Sequence, residues 1–78
     1  MMKQLVEVLI KALVDDPSQV DVQEIASGRD DMVYEVRVAE DDMGKVIGKH
    51  GRIVKAIRTV VRSVATREGK RVAVEIVE

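Results

Sequence analysis

Residues 46–51 read Val-Ile-Gly-Lys-His-Gly, two glycines enclosing a lysine and a histidine, directly ahead of a long helical pattern. Glycine lacks the side-chain barrier, so the peptide N–H groups of such a loop can be approached closely by another backbone. The helix that follows adds unpaired N–H donors and a partial positive charge at its first turn. Lys49 within the loop, with Lys45 and Arg52 on either side, puts full positive charges in the same place. The chemistry predicted is capture of a phosphate, mostly by main chain. Val46 and Ile47 supply an apolar wall against which bases could lie, and Lys55, Arg58 and Arg62 continue a basic stripe along the next helix.

Other chemistries fit less well. A Walker-type phosphate loop fails because GKVIGKH has three residues between its glycines rather than four, and no Ser or Thr follows Lys49. His50 could act as a general base, but no nucleophile or orienting carboxylate accompanies it in sequence. Read singly, the two glycines could be a helix stop and a turn, and the basic stripe an ordinary solvated helix face.

The elements that position this loop can be read from periodicity. In residues 3–14 the set Leu5, Val6, Leu9, Ala12 and Leu13 falls on one helical face, with Val8 and Ile10 off it. Asp-Asp-Pro at 15–17 predicts the end of that helix, because Pro17 disfavours the helical region for Asp16. Residues 20–27 read as a strand in which Ile25 is out of phase with Val20 and Val22, which predicts a bulge or strand end near Glu24. Ser-Gly-Arg-Asp-Asp at 27–31 is turn chemistry and predicts a hairpin. Met32, Tyr34, Val36 and Val38 alternate along the next strand, and Val72, Val74 and Ile76 along the last, at residues 71–77. Between them Asp42 is placed to cap a short helix, MGKVI, that stops at Gly48. A second helix is predicted over Arg52 to Arg67, with Ile53, Ile57, Val60, Val61 and Val64 facing the core and Gly69-Lys70 ending it. The resulting order is α-β-β-α-α-β, an α+β fold with three helices on one face of a three-stranded mixed sheet. With no repeat, linker or low-complexity tract, residues 1–78 form a single domain in this reading.

Composition narrows the function classes. The 78 residues contain no cysteine and one histidine, which argues against a disulfide framework or a structural zinc. No apolar run approaches the ~20 residues of a membrane span, and the first residues lack the pattern of a secretory signal. A cytoplasmic protein is the expectation. The net charge of −1 conceals an asymmetry. Residues 1–42 hold four Lys/Arg and eleven Asp/Glu, residues 43–78 nine and three, so the halves carry −7 and +6. A basic face suits a polyanion, and it equally suits two halves that attract each other. Charge alone leaves both open.

The stretch VIGKHGRIVKAIR resembles the signature of the KH domain, I-G-x-x-G followed by an apolar-patterned helix. Ile47, Gly48, Lys49, His50 and Gly51 match it position for position. Val54 stands where isoleucine is usual, and Ile57 fits the next apolar position. The element order resembles the type II arrangement over essentially the whole chain, and at this length the small bacterial single-KH proteins of the KhpA kind.

That resemblance implies a cytoplasmic, non-enzymatic protein that binds single-stranded RNA, of the RNA-chaperone or post-transcriptional-regulator type, without a cofactor. It further implies a larger KH protein, KhpB-like, as partner. The loop of such domains clamps about four nucleotides. Carried over, Lys45, Val46, Ile47, Gly48, Lys49, His50, Gly51, Arg52, Lys55 and Arg58 would contact RNA. The opposite wall of the groove would come from the first hairpin, including Ile25 and Arg29. Tyr34, the sole aromatic residue, alternates into the core, so base stacking on an aromatic platform is excluded.

Two rivals accompany this reading: a protein-interaction or dimerisation module in which RNA is incidental, and single-stranded DNA as the ligand. The surplus of apolar residues at Val8, Ile10 and Val54 points to a homodimer, or a heterodimer with a second KH protein.

Overall fold

The computed structural model describes residues 2–77. Helix α1 (Met2–Lys11) leads through a 3₁₀ turn at Pro17–Gln19 to the hairpin strands β1 (Asp21–Ala26) and β2 (Asp31–Arg37). A second 3₁₀ turn, Glu40–Asp42, precedes α2 (Met43–Ile47), and the turn Lys49–Gly51 leads into α3 (Arg52–Arg67) and strand β3 (Arg71–Ile76). The sheet order is β1-β2-β3, with β1 antiparallel and β3 parallel to β2. This is the expected α-β-β-α-α-β order. No helix among the described residues is long and apolar enough to cross a membrane.

Alternation decides which sheet face carries the helices. Val22, Tyr34, Val36 and Val74 are buried on one face, while Gln23, Ile25, Ala73 and Glu75 are exposed on the other. Met2, Val6 and Ile10 from α1, Val46 from α2, and Ile57, Val61 and Ala65 from α3 close the core from the helical side. Tyr34 is buried as its alternation requires, and that burial, with Glu24 and Glu68 nearby, pushes its hydroxyl pKa up.

Four details correct the sequence reading. The core face of α1 is Met2, Val6 and Ile10, spaced four apart, and Ile10 is fully buried while Val8 is exposed. Val54 is also core, and Val60, expected inside, is exposed. Strand β1 has no bulge, since its register runs unbroken from Asp21–Arg37 to Ala26–Met32. Ile25 belongs to the open face, and Glu24 and Ala26 are exposed on the other because the helices cover only Val22. Finally, Asp42 makes no side-chain cap to its own helix.

The long helix ends where glycine predicts. Gly69 has φ +71°, its N–H donates to Thr66 O, and the Lys70 N–H donates to Ala65 O. This is the paired closure that a left-handed residue after a helix allows.

Candidate nucleic-acid interface

The α2–α3 turn is held open by three residues with positive φ. The Gly48 N–H closes α2 by donating to Gly44 O at 2.8 Å. Gly48 then adopts φ +76°, ψ 172°, a conformation restricted to glycine. A Cβ at Gly48 would lie 2.5 Å from Ile53 Cγ1, so the α3 side chain is packed directly on the bare backbone. His50 (φ 59°, ψ 23°) and Gly51 (φ 71°, ψ 16°) are both left-handed. His50 is the only non-glycine residue with positive φ among the described residues, and such a position costs about 1–2 kcal/mol.

The turn spends few of its donors on itself. Gly51 N–H reaches Gly48 O at 3.1 Å and Arg52 N–H reaches Lys49 O. Among the described residues nothing accepts the N–H groups of Lys49 and His50, and both residues are exposed. Arg52 and Lys55 are exposed on the first turns of α3. Unused main-chain donors thus lie beside three cations.

The remaining expected site residues divide. Val46 is fully buried, so it anchors α2 to the core and cannot form a groove wall. Ile47 is 37 % exposed and lines a cleft of about 590 Å³ with Val38, Glu40 and Met43. Arg58 and Arg62 face strand β3 across a groove of about 330 Å³ that Val72, Ala73, Val74 and Glu75 complete. The second wall is therefore β3. Neither Ile25, which lies on the far edge strand β1, nor Arg29, which lies in the hairpin turn, lines this groove.

Lys45 is committed elsewhere. Its ammonium pairs with Asp15 and lies 3.4 Å from the buried carboxylate of Asp42. Asp42 accepts the N–H groups of Asp15 and Asp16, each at 3.1 Å. A buried carboxylate is tolerable when its oxygens are so satisfied. Those N–H bonds, led by that from Asp15 and helped by Lys45, hold the Asp42 carboxyl below its usual pKa. The hydrogen bond to Asp15 and the neighbouring Asp42 raise that of Lys45. Together the three side chains fasten the segment after α1 to the helix that carries the loop.

Three features were missed from sequence. The edge of β3 has no local marker, and the Asp15–Lys45–Asp42 cluster joins segments 27 and 30 residues apart. Gly44 did offer a signal. A glycine inside a helix costs up to about 1 kcal/mol relative to alanine, and no atom lies within 4 Å of the Cβ it lacks. Nothing among the described residues requires it.

A family model described as "KhpA/KhpB, KH domain" matches residues 3–76. The chain is 55 % identical over 76 residues to the RNA-binding protein KhpA of Clostridium acetobutylicum, covering 97 % of this chain and all of that one. It is 46 % identical over 77 residues to the RNA-binding protein KhpA of Aquifex aeolicus, covering 99 % and 96 %. Among solved structures, a variant of Aquifex aeolicus Era bound to GDP and AlF4− superposes with a TM-score of 0.66 at 22 % identity, over 96 % of this chain and 29 % of Era. Era in complex with MgGDPNP and a segment of 16S ribosomal RNA gives the same TM-score at 21 % identity, over 96 % of this chain and 28 % of Era. The fold is shared with a part of Era that is less than a third of its length.

Proposed function

As the chain belongs to the KhpA/KhpB family of KH domains, we propose that it binds single-stranded RNA without catalysing a reaction, as a chaperone or post-transcriptional regulator in the cytoplasm. The Gly48–Gly51 turn clamps the ribose-phosphate backbone, with Lys49, His50, Arg52 and Lys55 around it. The observation that carries this reading is the pair of unused N–H groups at Lys49 and His50, held in a strained turn beside exposed cations. Gly44 and Ile47 leave room on α2 for the bases. Main-chain clamping does not read the 2′-OH, so single-stranded DNA of the same sequence competes in this account.

Replacing Lys49 and His50 by Asp tests it. Both residues are exposed, so the circular dichroism should be unchanged, while affinity for an RNA octamer should fall roughly 100-fold. Wild-type affinity in a folded double variant would remove the loop from the site.

A specific surface favours pairing with a second KH domain, either another copy or a KhpB-like protein. An almost wholly apolar groove of about 400 Å³ lies between α1 and α3, lined in part by Leu9, Ala12, Leu13, Ala56 and Val60. Of the residues expected to pair, Val8 is exposed but does not line this groove, whereas Val60 does, and Ile10 and Val54 belong to the core. One weak site per domain makes two linked sites useful. Light scattering at micromolar concentration should report a dimer, and Ala56→Glu a monomer. A wild-type monomer throughout that range would leave only the heteromeric pairing.

A further inference from the structure

The free edge of β3 forms one wall of the groove opposite α3, and Arg58 changes what that edge can offer. The Arg71 N–H donates to Asp30 O and the Val77 N–H to Val36 O, so the odd-numbered residues of this strand turn their peptide groups toward β2. Val72, Val74 and Ile76 therefore turn theirs outward, each offering one donor and one acceptor. The Val74 carbonyl is already occupied: Arg58 Nε donates to it at 2.9 Å.

What remains at that point is the Val74 N–H and the other N–H groups of Arg58, and a guanidinium has no acceptor. At Val74, the point level with Arg58, the strand edge has become donor-only, while the Val72 carbonyl stays open one pleat repeat away. Glu75 also lines the groove, from the open face of the strand, opposite to α3. With 1.5 Å of rise per residue, Arg58 stands about 10 Å along the helix from the Gly51 end of the loop. That is within one or two nucleotides of the phosphate clamp.

From this geometry, and resting on the RNA reading above, we infer that Arg58 is a specificity-determining residue that biases the groove toward cytosine and against adenine. Cytosine presents two neighbouring acceptors, O2 and N3, to the donor-only edge, and a flanking amino group that Glu75 accepts. Adenine alternates donor and acceptor on both of its exposed edges and needs the carbonyl that Arg58 has covered. Arg58 and Arg62, one stripe in the sequence, thereby part company. Arg62, with no such bond to the strand among the described residues, adds charge without choosing a base.

The test compares labelled octamers of oligo(rC) and oligo(rA) by fluorescence anisotropy. Wild-type protein should favour oligo(rC) by about fivefold or more. Arg58→Met, similar in length and helix preference, frees the Val74 carbonyl and should bring the ratio to one or below. Arg58→Gln, which keeps a polar side chain, should give an intermediate ratio. Arg62→Met should weaken both octamers alike. An unchanged ratio in Arg58→Met, equal weakening of both octamers, or a wild-type preference for oligo(rA) overturns the inference and leaves the RNA reading standing. Wild-type protein that binds neither octamer overturns both.

Discussion

Two turns in this chain, Ser27–Asp30 and Gly48–Gly51, look alike in sequence, since both carry glycine and charge and both join regular elements. In space they do opposite things. The hairpin turn is tied to neighbouring chain: Ser27 N–H reaches Asp31 O, Asp30 O accepts from Arg71 N–H, and Asp31 takes the Arg71 guanidinium at 2.8 Å. Its glycine has no positive φ. The second turn holds three positive-φ positions and leaves the N–H groups of Lys49 and His50 exposed and unused among the described residues. A turn that is tied to neighbouring strands and carries no positive-φ residue is structural, whereas one that stores backbone strain beside exposed donors and cations is directed at something outside.

The largest expected difference is in stability. Gly48→Ala meets Ile53 Cγ1 at 2.5 Å at a φ that alanine does not adopt, and should cost about 2–4 kcal/mol in urea unfolding. Gly51→Ala has only its left-handed conformation against it, at about 1 kcal/mol, because Val54 lies 3.9 Å away. Gly28→Ala meets only a side-chain oxygen of Asp31, at 3.2 Å, at a φ that alanine accepts, and should stay within about 0.5 kcal/mol. Equal losses at Gly28 and Gly48 would erase the distinction between the turns.

An aspartate beside the hairpin turn and one at the start of the helix that leads to the second turn also tie distant chain, and these differ next. Asp31 is a third exposed, whereas Asp42 is buried and accepts two backbone N–H groups. Asp42→Asn replaces one acceptor by a donor and strands an N–H, so its melting temperature at neutral pH should fall by several degrees. Asp31→Asn should change little. The sign with pH follows from the lowered pKa of Asp42. Its stabilisation is complete above the unfolded carboxyl pKa of about 4 and is lost as pH falls through the lower folded value. Wild type and Asp42→Asn should therefore converge on acidification, and parallel profiles from pH 6 to pH 2 would refute that role.

What the sequence could reveal was set by how local the cause is. Helix α3, its start after Gly51 and its end at Gly69 follow from periodicity and glycine conformation within a few residues. The alternation of β2 and β3, and the burial of Tyr34, are equally local. Helix α1 is apolar nearly all round, so several faces fit its pattern and only packing selects Met2, Val6 and Ile10. Strand β1 misleads because its far end extends beyond the helices, where alternation has no burial to report. Asp42 reads as a cap because its true partners lie 26 and 27 residues away. The groove wall was misassigned for the same reason. Sequence does not show that Ile25 lies on the far edge strand or that the hairpin turn meets β3 only at Arg71, its first residue.

The smallest effect distinguishes two lysines that composition cannot tell apart. Lys49 is exposed in the turn, with no partner among the described residues, whereas Lys45 is engaged by Asp15 and Asp42. A phosphate arriving at Lys49 displaces only counterions. At Lys45 it must first displace a carboxylate, so little net charge is neutralised. For three or four phosphates on a single strand, log K should fall with log salt at a slope of roughly −2 to −3. Lys49→Met should flatten that slope by about 0.7, the share of one phosphate contact, and Lys45→Met by much less. Adding Asp15→Asn to wild type should steepen the slope, because it weakens the internal competitor for the Lys45 charge. Equal flattening by the two lysine variants would mean that RNA breaks the Asp15 pair on binding, and would extend the interface from the turn onto the whole of α2.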